Sequence, residues 1–251
     1  MRHPLAGLLA IFLACVSWSA GVAAGQVRAA VAANFTAPMR EIAAAFEQQS
    51  GHRVVLSFGS SGKLFAQVVN GAPYDVFLSA DTAKPDALLE AGLAVDGSRF
   101  TYAIGTLALW SPGAADPRAR LRSGDYRRLA IANPRVAPYG AAALQVLVAE
   151  QVAAAAKPKL VSGENIAQTY QFVASGNADL GFVALSQVID QGAAPADAWV
   201  VPAELHDPIA QDAVLLQRGA DNAAARALLA FLDGKAAHEI VQRYGYGIRA
   251  H

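Results

Sequence analysis

Cysteine is nearly absent from this sequence: Cys15 is the single example among 251 residues, and there are only two methionines. One thiol cannot close an intrachain disulfide or build a multi-cysteine zinc site, so a disulfide scaffold and a zinc ribbon are both excluded. Charge is scarce as well. Asp, Glu, Lys and Arg make up 16% of the chain, against about a quarter of an average soluble protein. The 20 basic and 20 acidic side chains cancel, which removes the chain-wide attraction that nucleic acid or an anionic membrane surface requires. No repeat period, low-complexity tract or long linker interrupts the sequence. What is present is apolar: 54% of residues are hydrophobic, enough for a sizeable core in a chain whose length fits between one and two domains.

The N-terminus reads as a secretory leader. Arg2 and His3 precede an apolar run at 5–16, and small residues continue through Ala24. The run falls short of the ~20 residues of a spanning helix and matches the apolar core of about 7–15 residues found in signal peptides. Val22-Ala23-Ala24 offers small side chains at the cut, so residues 1–24 are assigned as signal peptide and the mature protein is expected in the periplasm. Cys15 lies within this leader. Phe12-Leu13-Ala14-Cys15 has a distant likeness to a lipoprotein cleavage box, with Phe where Leu is usual; a cysteine in an apolar leader is the simpler reading.

From Gln26 onward short apolar runs alternate with helical patterns, the signature of βα units and a largely parallel sheet. Strands are expected at 27–32, 54–58, 74–79, 107–110, 129–132, 180–183, 199–201 and 213–216. Helices are expected after Asn34-Phe35-Thr36, with Thr36 as N-cap, Pro38 in the first turn and Gly51 as C-terminal cap. Others carry Leu64, Phe65 and Val68, or span 141–155, 166–175, 223–232 and 236–244. Composition does not change where the second region begins, near 107. That suits two lobes crossed twice by the chain.

Catalytic motifs are missing. Gly59-Ser60-Ser61-Gly62-Lys63 has the look of a phosphate loop, but Ser57 stands where its first glycine belongs and Leu64 follows the lysine in place of Ser or Thr. The segment does not fit a nucleophile elbow either. His52, His206, His238 and His251 show no metal-ligand spacing, and Asp81 at a strand end suits a helix cap better than a catalytic acid. A different pattern recurs: strand, short polar turn, helix. It appears at Ala33-Asn34, Ser60-Ser61, Pro138-Tyr139-Gly140 and Glu164-Asn165-Ile166. Each helix start offers unpaired N–H groups and a positive dipole end, which favour an anion. Any one of these turns is an ordinary cap. Four of them converging on one cleft would be a binding site.

Ala32-Ala33-Asn34-Phe35-Thr36, the stretch from Ser57 through Lys63-Leu64, and Gly71-Ala72-Pro73-Tyr74-Asp75-Val76-Phe77-Leu78-Ser79-Ala80-Asp81 resemble the periplasmic molybdate-binding proteins of ABC importers. Ala132-Asn133-Pro134, Ala137-Pro138-Tyr139-Gly140, Glu164-Asn165-Ile166, Gly181-Phe182-Val183-Ala184 and the ending Arg243-Tyr244-Gly245-Tyr246 follow in the family's order. The resemblance implies an α/β, two-lobed type II periplasmic-binding-protein fold. Each lobe would be a mixed, mostly parallel sheet flanked by helices, with the ligand cleft between lobe 1 (25–104 and 207–251) and lobe 2 (105–206). It implies oxyanion contacts at Asn34 and Ser61 from the first lobe, and at Tyr139 and the backbone N–H of Ile166 from the second. Tyr139 stands where many relatives have a small residue; a tyrosine of some relatives aligns with Ala184. The implied function is capture of molybdate, with tungstate, for a membrane permease and its ATPase. No catalytic residue, cofactor or direct metal ligand is implied, and a monomer is expected. Another oxyanion such as sulfate or phosphate is the alternative within the class; a secreted hydrolase using Asp81 or a histidine, or a sensor module, lies outside it.

Overall fold

A computed structural model describes residues 24–190 and 192–249. The expected leader with Cys15 lies outside the described residues except for Ala24, and His251 also lies outside them. In chain order the first strands are β1 (Gln26–Ala32), β2 (Arg53–Gly59), β3 (Val76–Leu78), β4 (Phe100–Gly105) and β5 (Leu107–Trp110). They are followed by β6 (Leu129–Ala132), β7 (Leu160–Gly163), β8 (Leu180–Ala184), β9 (Ala198–Val200) and β10 (Ile209–Leu215). The helices are α1 (Thr36–Ser50), α2 (Ser61–Val69), α3 (Ala83–Glu90), α4 (Pro117–Ser123), α5 (Pro138–Ala149), α6 (Ala153–Ala156), α7 (Ile166–Ala174), α8 (Ala223–Leu232) and α9 (Lys235–Arg243).

The strands form two five-stranded sheets, ordered β2-β1-β3-β10-β4 and β7-β6-β8-β5-β9. In each sheet one strand, β10 or β5, runs against both of its neighbours while the other four share a direction. This is the two-lobed α/β arrangement that the resemblance implies. The apolar run of β1 has its physical reason here. The strand lies inside its sheet with helices on both faces, so Val27, Ala29, Ala30, Val31 and Ala32 are all buried. Met39, Ile42 and Phe46 of α1 pack on one face with Val27 and Val31, while Leu64 and Val68 of α2 pack on the other with Ala30 and Phe77.

The chain crosses between the sheets at Thr106, between β4 and β5, and returns between β9 and β10. Its C-terminal segment lies against the first crossing. Ile104 and Gly247 exchange backbone hydrogen bonds of 2.7 and 2.9 Å, and the Thr106 hydroxyl donates to Gly245 O at 3.0 Å.

Several local expectations change. Thr36 is the first residue of α1 rather than its cap: its hydroxyl donates to Ala33 O at 2.8 Å, and a 3-10 turn, Ala33–Phe35, precedes the helix. Gly51 does close α1, at φ 70°. The helix expected over 141–155 breaks at Gln151, whose φ is 60°, into α5 and α6. The strand expected at 213–216 begins four residues earlier, because Gln211 and Asp212 are buried and bonded inside it.

The start of α5 is pressed onto the end of β6. A Cβ on Gly140 would lie 2.0 Å from Ala132 O, a backbone atom that cannot swing away. Gly140→Ala is therefore expected to destabilise the fold by about 1–3 kcal/mol, the usual range for overpacking, read as a lowered midpoint in urea denaturation. A midpoint equal to wild type would show that α5 shifts freely on β6.

Candidate functional site

Five strand ends, those of β1, β2, β3, β6 and β7, open toward one space between the sheets. Residues from the turn after each of them line it: Asn34, Ser61, Ala80, Tyr139 and Ile166 among others. All four candidate contacts are therefore in one cavity. It is small, with a volume of about 10 Å³, too little as it stands for a nucleotide, sugar or peptide. None of its lining residues carries a charge.

Ser61 begins α2 and is buried; its Oγ accepts from Ala80 N at 2.9 Å. With that lone pair held by an internal N–H, the hydroxyl hydrogen is left to donate elsewhere. The preceding Ser60 is the cap, accepting from Lys63 N at 3.4 Å. Ile166 begins α7 under the cap Asn165, whose side chain accepts from Gln168 N at 3.0 Å. Among the described residues, the backbone N–H groups of Asn34, Ser61 and Ile166 have no internal acceptor, although all three residues are buried.

Asn34 and Tyr139 belong to a buried hydrogen-bond network that the sequence did not reveal. Asn34 Nδ2 donates to Gln211 Oε1 at 2.8 Å and to Tyr246 OH at 3.1 Å. Gln211 Nε2 donates to Tyr139 OH at 3.1 Å. Tyr102 OH lies 3.1 Å from Ser79 O and 3.0 Å from Gln211 Oε1, its one hydrogen shared between the two acceptors. Tyr246 OH donates to Asn34 O at 2.7 Å, and Ser186 Oγ, from beyond the cleft, reaches the same carbonyl at 3.0 Å. Burial pushes the Tyr246 hydroxyl up to about 12 and holds those of Tyr102 and Tyr139 well above the ordinary tyrosine value. All three stay neutral donors at any physiological pH. Gln211, Tyr102 and Ser186 carried no signal in the sequence, and Tyr246 only that of the family-like ending Arg243-Tyr244-Gly245-Tyr246.

Two of the hydrolase candidates, Asp81 and His52, are occupied otherwise. Asp81, one residue before the cap position Thr82, accepts from Ser79 Oγ at 3.0 Å and from Lys84 N in the first turn of α3 at 3.1 Å, and pairs with the Lys84 ammonium. His52 Nδ1 accepts from Gly25 N at 3.0 Å. Among the described residues no group of three His, Cys, Asp or Glu side chains could hold a metal ion. A larger, open depression of about 340 Å³ adjoins the cavity; among its charged lining residues Asp81, Lys84 and Asp207 are bonded within the protein, and Arg135 is exposed. Ala184 is buried at the end of β8 and does not line the cavity.

The two sides touch across the mouth. Gly62 N donates to Val136 O at 2.9 Å, and Lys63 Nζ lies 2.7 Å from Glu164 Oε2. A small uncharged cavity framed by helix starts from two lobes is the arrangement of the two-lobed binding proteins. The sequence matches the bacterial extracellular solute-binding proteins over residues 27–247, and the chain belongs to that family. It is 52% identical over 241 residues to the molybdate-binding protein ModA of Azotobacter vinelandii, covering 94% of each chain. With ModA of Rhodobacter capsulatus it shares 51% identity over 226 residues, covering 89% of each. The solved structure of the Azotobacter vinelandii periplasmic molybdate-binding protein superposes with a TM-score of 0.85 at 41% identity, over 89% of this chain and 100% of that one. The chain is thus a solute-binding protein and not an enzyme.

A Cβ on Gly62 would lie 2.9 Å from Val136 Cβ and 3.0 Å from its Cα. Gly62→Ala is expected to hold the lobes apart at this edge, giving a larger radius of gyration in solution scattering. Lys63→Ala removes an ion pair that is half exposed on both sides, and should change stability by less than about 1 kcal/mol. An unchanged radius for Gly62→Ala would show that Val136 yields.

Proposed function

We propose that this protein captures molybdate, and tungstate with it, outside the cytoplasm and delivers it to the permease and ATPase of an ABC importer. The observation that carries the reading is the set of buried N–H groups at Asn34, Ser61 and Ile166 that lack an internal acceptor and line one uncharged cavity. A buried donor left unpaired costs about 1–3 kcal/mol, so these groups call for an acceptor, and helix starts favour an anionic one. The relatives named for molybdate supply its identity.

In this reading Asn34 and Ile166 contribute backbone N–H groups, Ser61 its N–H and its hydroxyl, and Tyr139 its hydroxyl. Hydrogen bonds to a charged acceptor contribute about 1.5–3 kcal/mol each, so a few replace much of the hydration shell without a buried lysine or arginine. A dianion held only by neutral donors can still be released to a transporter. The lobes, 25–104 with 207–251 and 105–206, close because the anion contacts both, which gives it higher affinity for the closed state. Sulfate is smaller, and donors fixed around a larger tetrahedral ion leave it with incomplete bonds, which a buried site penalises. Residues 1–24 act as the leader, and the mature monomer works in the periplasm.

Isothermal titration of the mature chain is expected to show 1:1 binding of molybdate and tungstate, with sulfate and phosphate far weaker. Ser61→Ala should lose at least about 1 kcal/mol of binding free energy. Preference for sulfate or phosphate would replace the substrate, and no heat with any oxyanion would overturn the transport reading.

A further inference from the structure

Gln211 is a fully buried side chain on β10, close to the point where the chain returns to the first sheet. Its amide is bonded at both ends. Oε1 accepts from Asn34 Nδ2 at 2.8 Å and Tyr102 OH at 3.0 Å, both from the first-sheet side. Nε2 donates at 3.1 Å to Tyr139 OH, on α5 beside the second sheet. One amide thus connects a cleft-lining residue of each lobe.

The backbone is shaped for this contact. The register between β10 and β4 shifts between Gln211 and Asp212: Gln211 faces Ala103 and Asp212 faces Thr101, so Tyr102 is an extra residue. Such a bulge re-aims side chains. Asp212 turns to Thr101 Oγ1 at 2.7 Å and Arg99 Nε at 2.6 Å, while Gln211 turns to the cleft residues. Gly105 on β4 leaves the necessary room, since a Cβ there would lie 2.3 Å from Tyr139 OH and 2.6 Å from Gln211 Nε2.

The polarity of the amide matters as much as its position. A tyrosine hydroxyl has one hydrogen and two lone pairs. When Gln211 donates to Tyr139, that hydroxyl is an acceptor toward β10 and its hydrogen is left for the cleft or for Tyr246. A carboxylate at the same place would accept on both ends and draw the Tyr139 hydrogen away.

We propose that Gln211 is a positioning residue for anion capture: its amide holds the Tyr139 hydroxyl as an acceptor toward β10, so that the hydroxyl hydrogen, bonded to Tyr246 in this structure, can turn to an anion in the cleft, and it ties Tyr139 to Asn34, so that the contacts of the two lobes form together. This rests on the oxyanion reading above.

The experiment titrates molybdate into wild type, Gln211→Glu and Gln211→Met at pH 8 and pH 6, with thermal melts to establish that each is folded. Gln211→Met keeps the length and removes the polarity; it is expected to weaken binding at least about tenfold, equally at both pH values. Gln211→Glu is expected to bind more weakly still at pH 8 and to regain at least about tenfold at pH 6. A buried carboxyl beside an anion has a raised pKa, and once protonated it presents a donor and an acceptor like the amide. The hydroxyls of Tyr102, Tyr139 and Tyr246 face this position and stay protonated throughout, since burial holds all three high. Asp212 and Asp81 are the nearby carboxylates and are paired with Arg99 and Lys84, so wild type should be level across the range. Wild-type binding with both variants within twofold of it, or a Gln211→Glu loss that does not change with pH, would overturn the proposal. Where the Glu variant does not fold, an unaltered affinity in Gln211→Met overturns it alone. No binding by wild type would instead remove the oxyanion reading, and this inference with it.

Discussion

A buried hydrogen-bonding group must find a partner or the fold loses about 1–3 kcal/mol for each one left alone, and the space between the two sheets is filled with groups under that constraint. Asn34, Gln211, Tyr102, Tyr139, Ser186 and Tyr246 are all buried, and each has a hydrogen bond to at least one of the others. They come from the turn after β1, from β10, β4 and α5, from the turn after β8, and from the C-terminal segment. These contacts join the two sheets beside the crossing, and Asn34 and Tyr139 belong both to this network and to the wall of the cavity next to it.

The cavity itself is the place where this rule is left incomplete. Ser61 has its oxygen capped by Ala80 N, and the helix starts at Ser61 and Ile166 retain N–H groups with no acceptor inside the described protein. Completing them with a lysine or arginine nearby would be impossible, since cations offer no acceptor; a bound anion completes them directly. The same geometry explains why the walls carry no charge. A counter-charge would bind an anion with less regard to shape, while neutral donors require the guest to reach each of them.

Glycine and small residues are what allow the parts to approach. Gly140 seats the start of α5 against Ala132, Gly105 clears the space between Tyr139 and Gln211, and Gly62 lets α2 meet Val136 across the mouth. In each case the constraint is contact with another segment, and none of these three glycines has a positive φ.

Much of this was legible in the sequence. The alternation of apolar runs and helical periods gave β1, β2, β5, β6, β8, α1, α7 and α8 nearly to the residue, because burial on both faces of a sheet or along one stripe of a helix leaves a local pattern. The polar turns before α2, α5 and α7 could be recognised as helix starts, and the resemblance put Asn34, Ser61, Tyr139 and Ile166 forward as one set. β4 and the first half of β10 left no such pattern, since Tyr102, Gln211 and Asp212 place polar groups in strands that pair across more than 100 positions. Local residue order determined most of the elements, though not β4, β7, α3 or α4, along with the scarcity of thiols. Which polar side chains would be buried together was decided only by the tertiary structure, because a hydrogen bond between Gln211 and Tyr139 depends on two lobes meeting and has no trace in either neighbourhood of the chain.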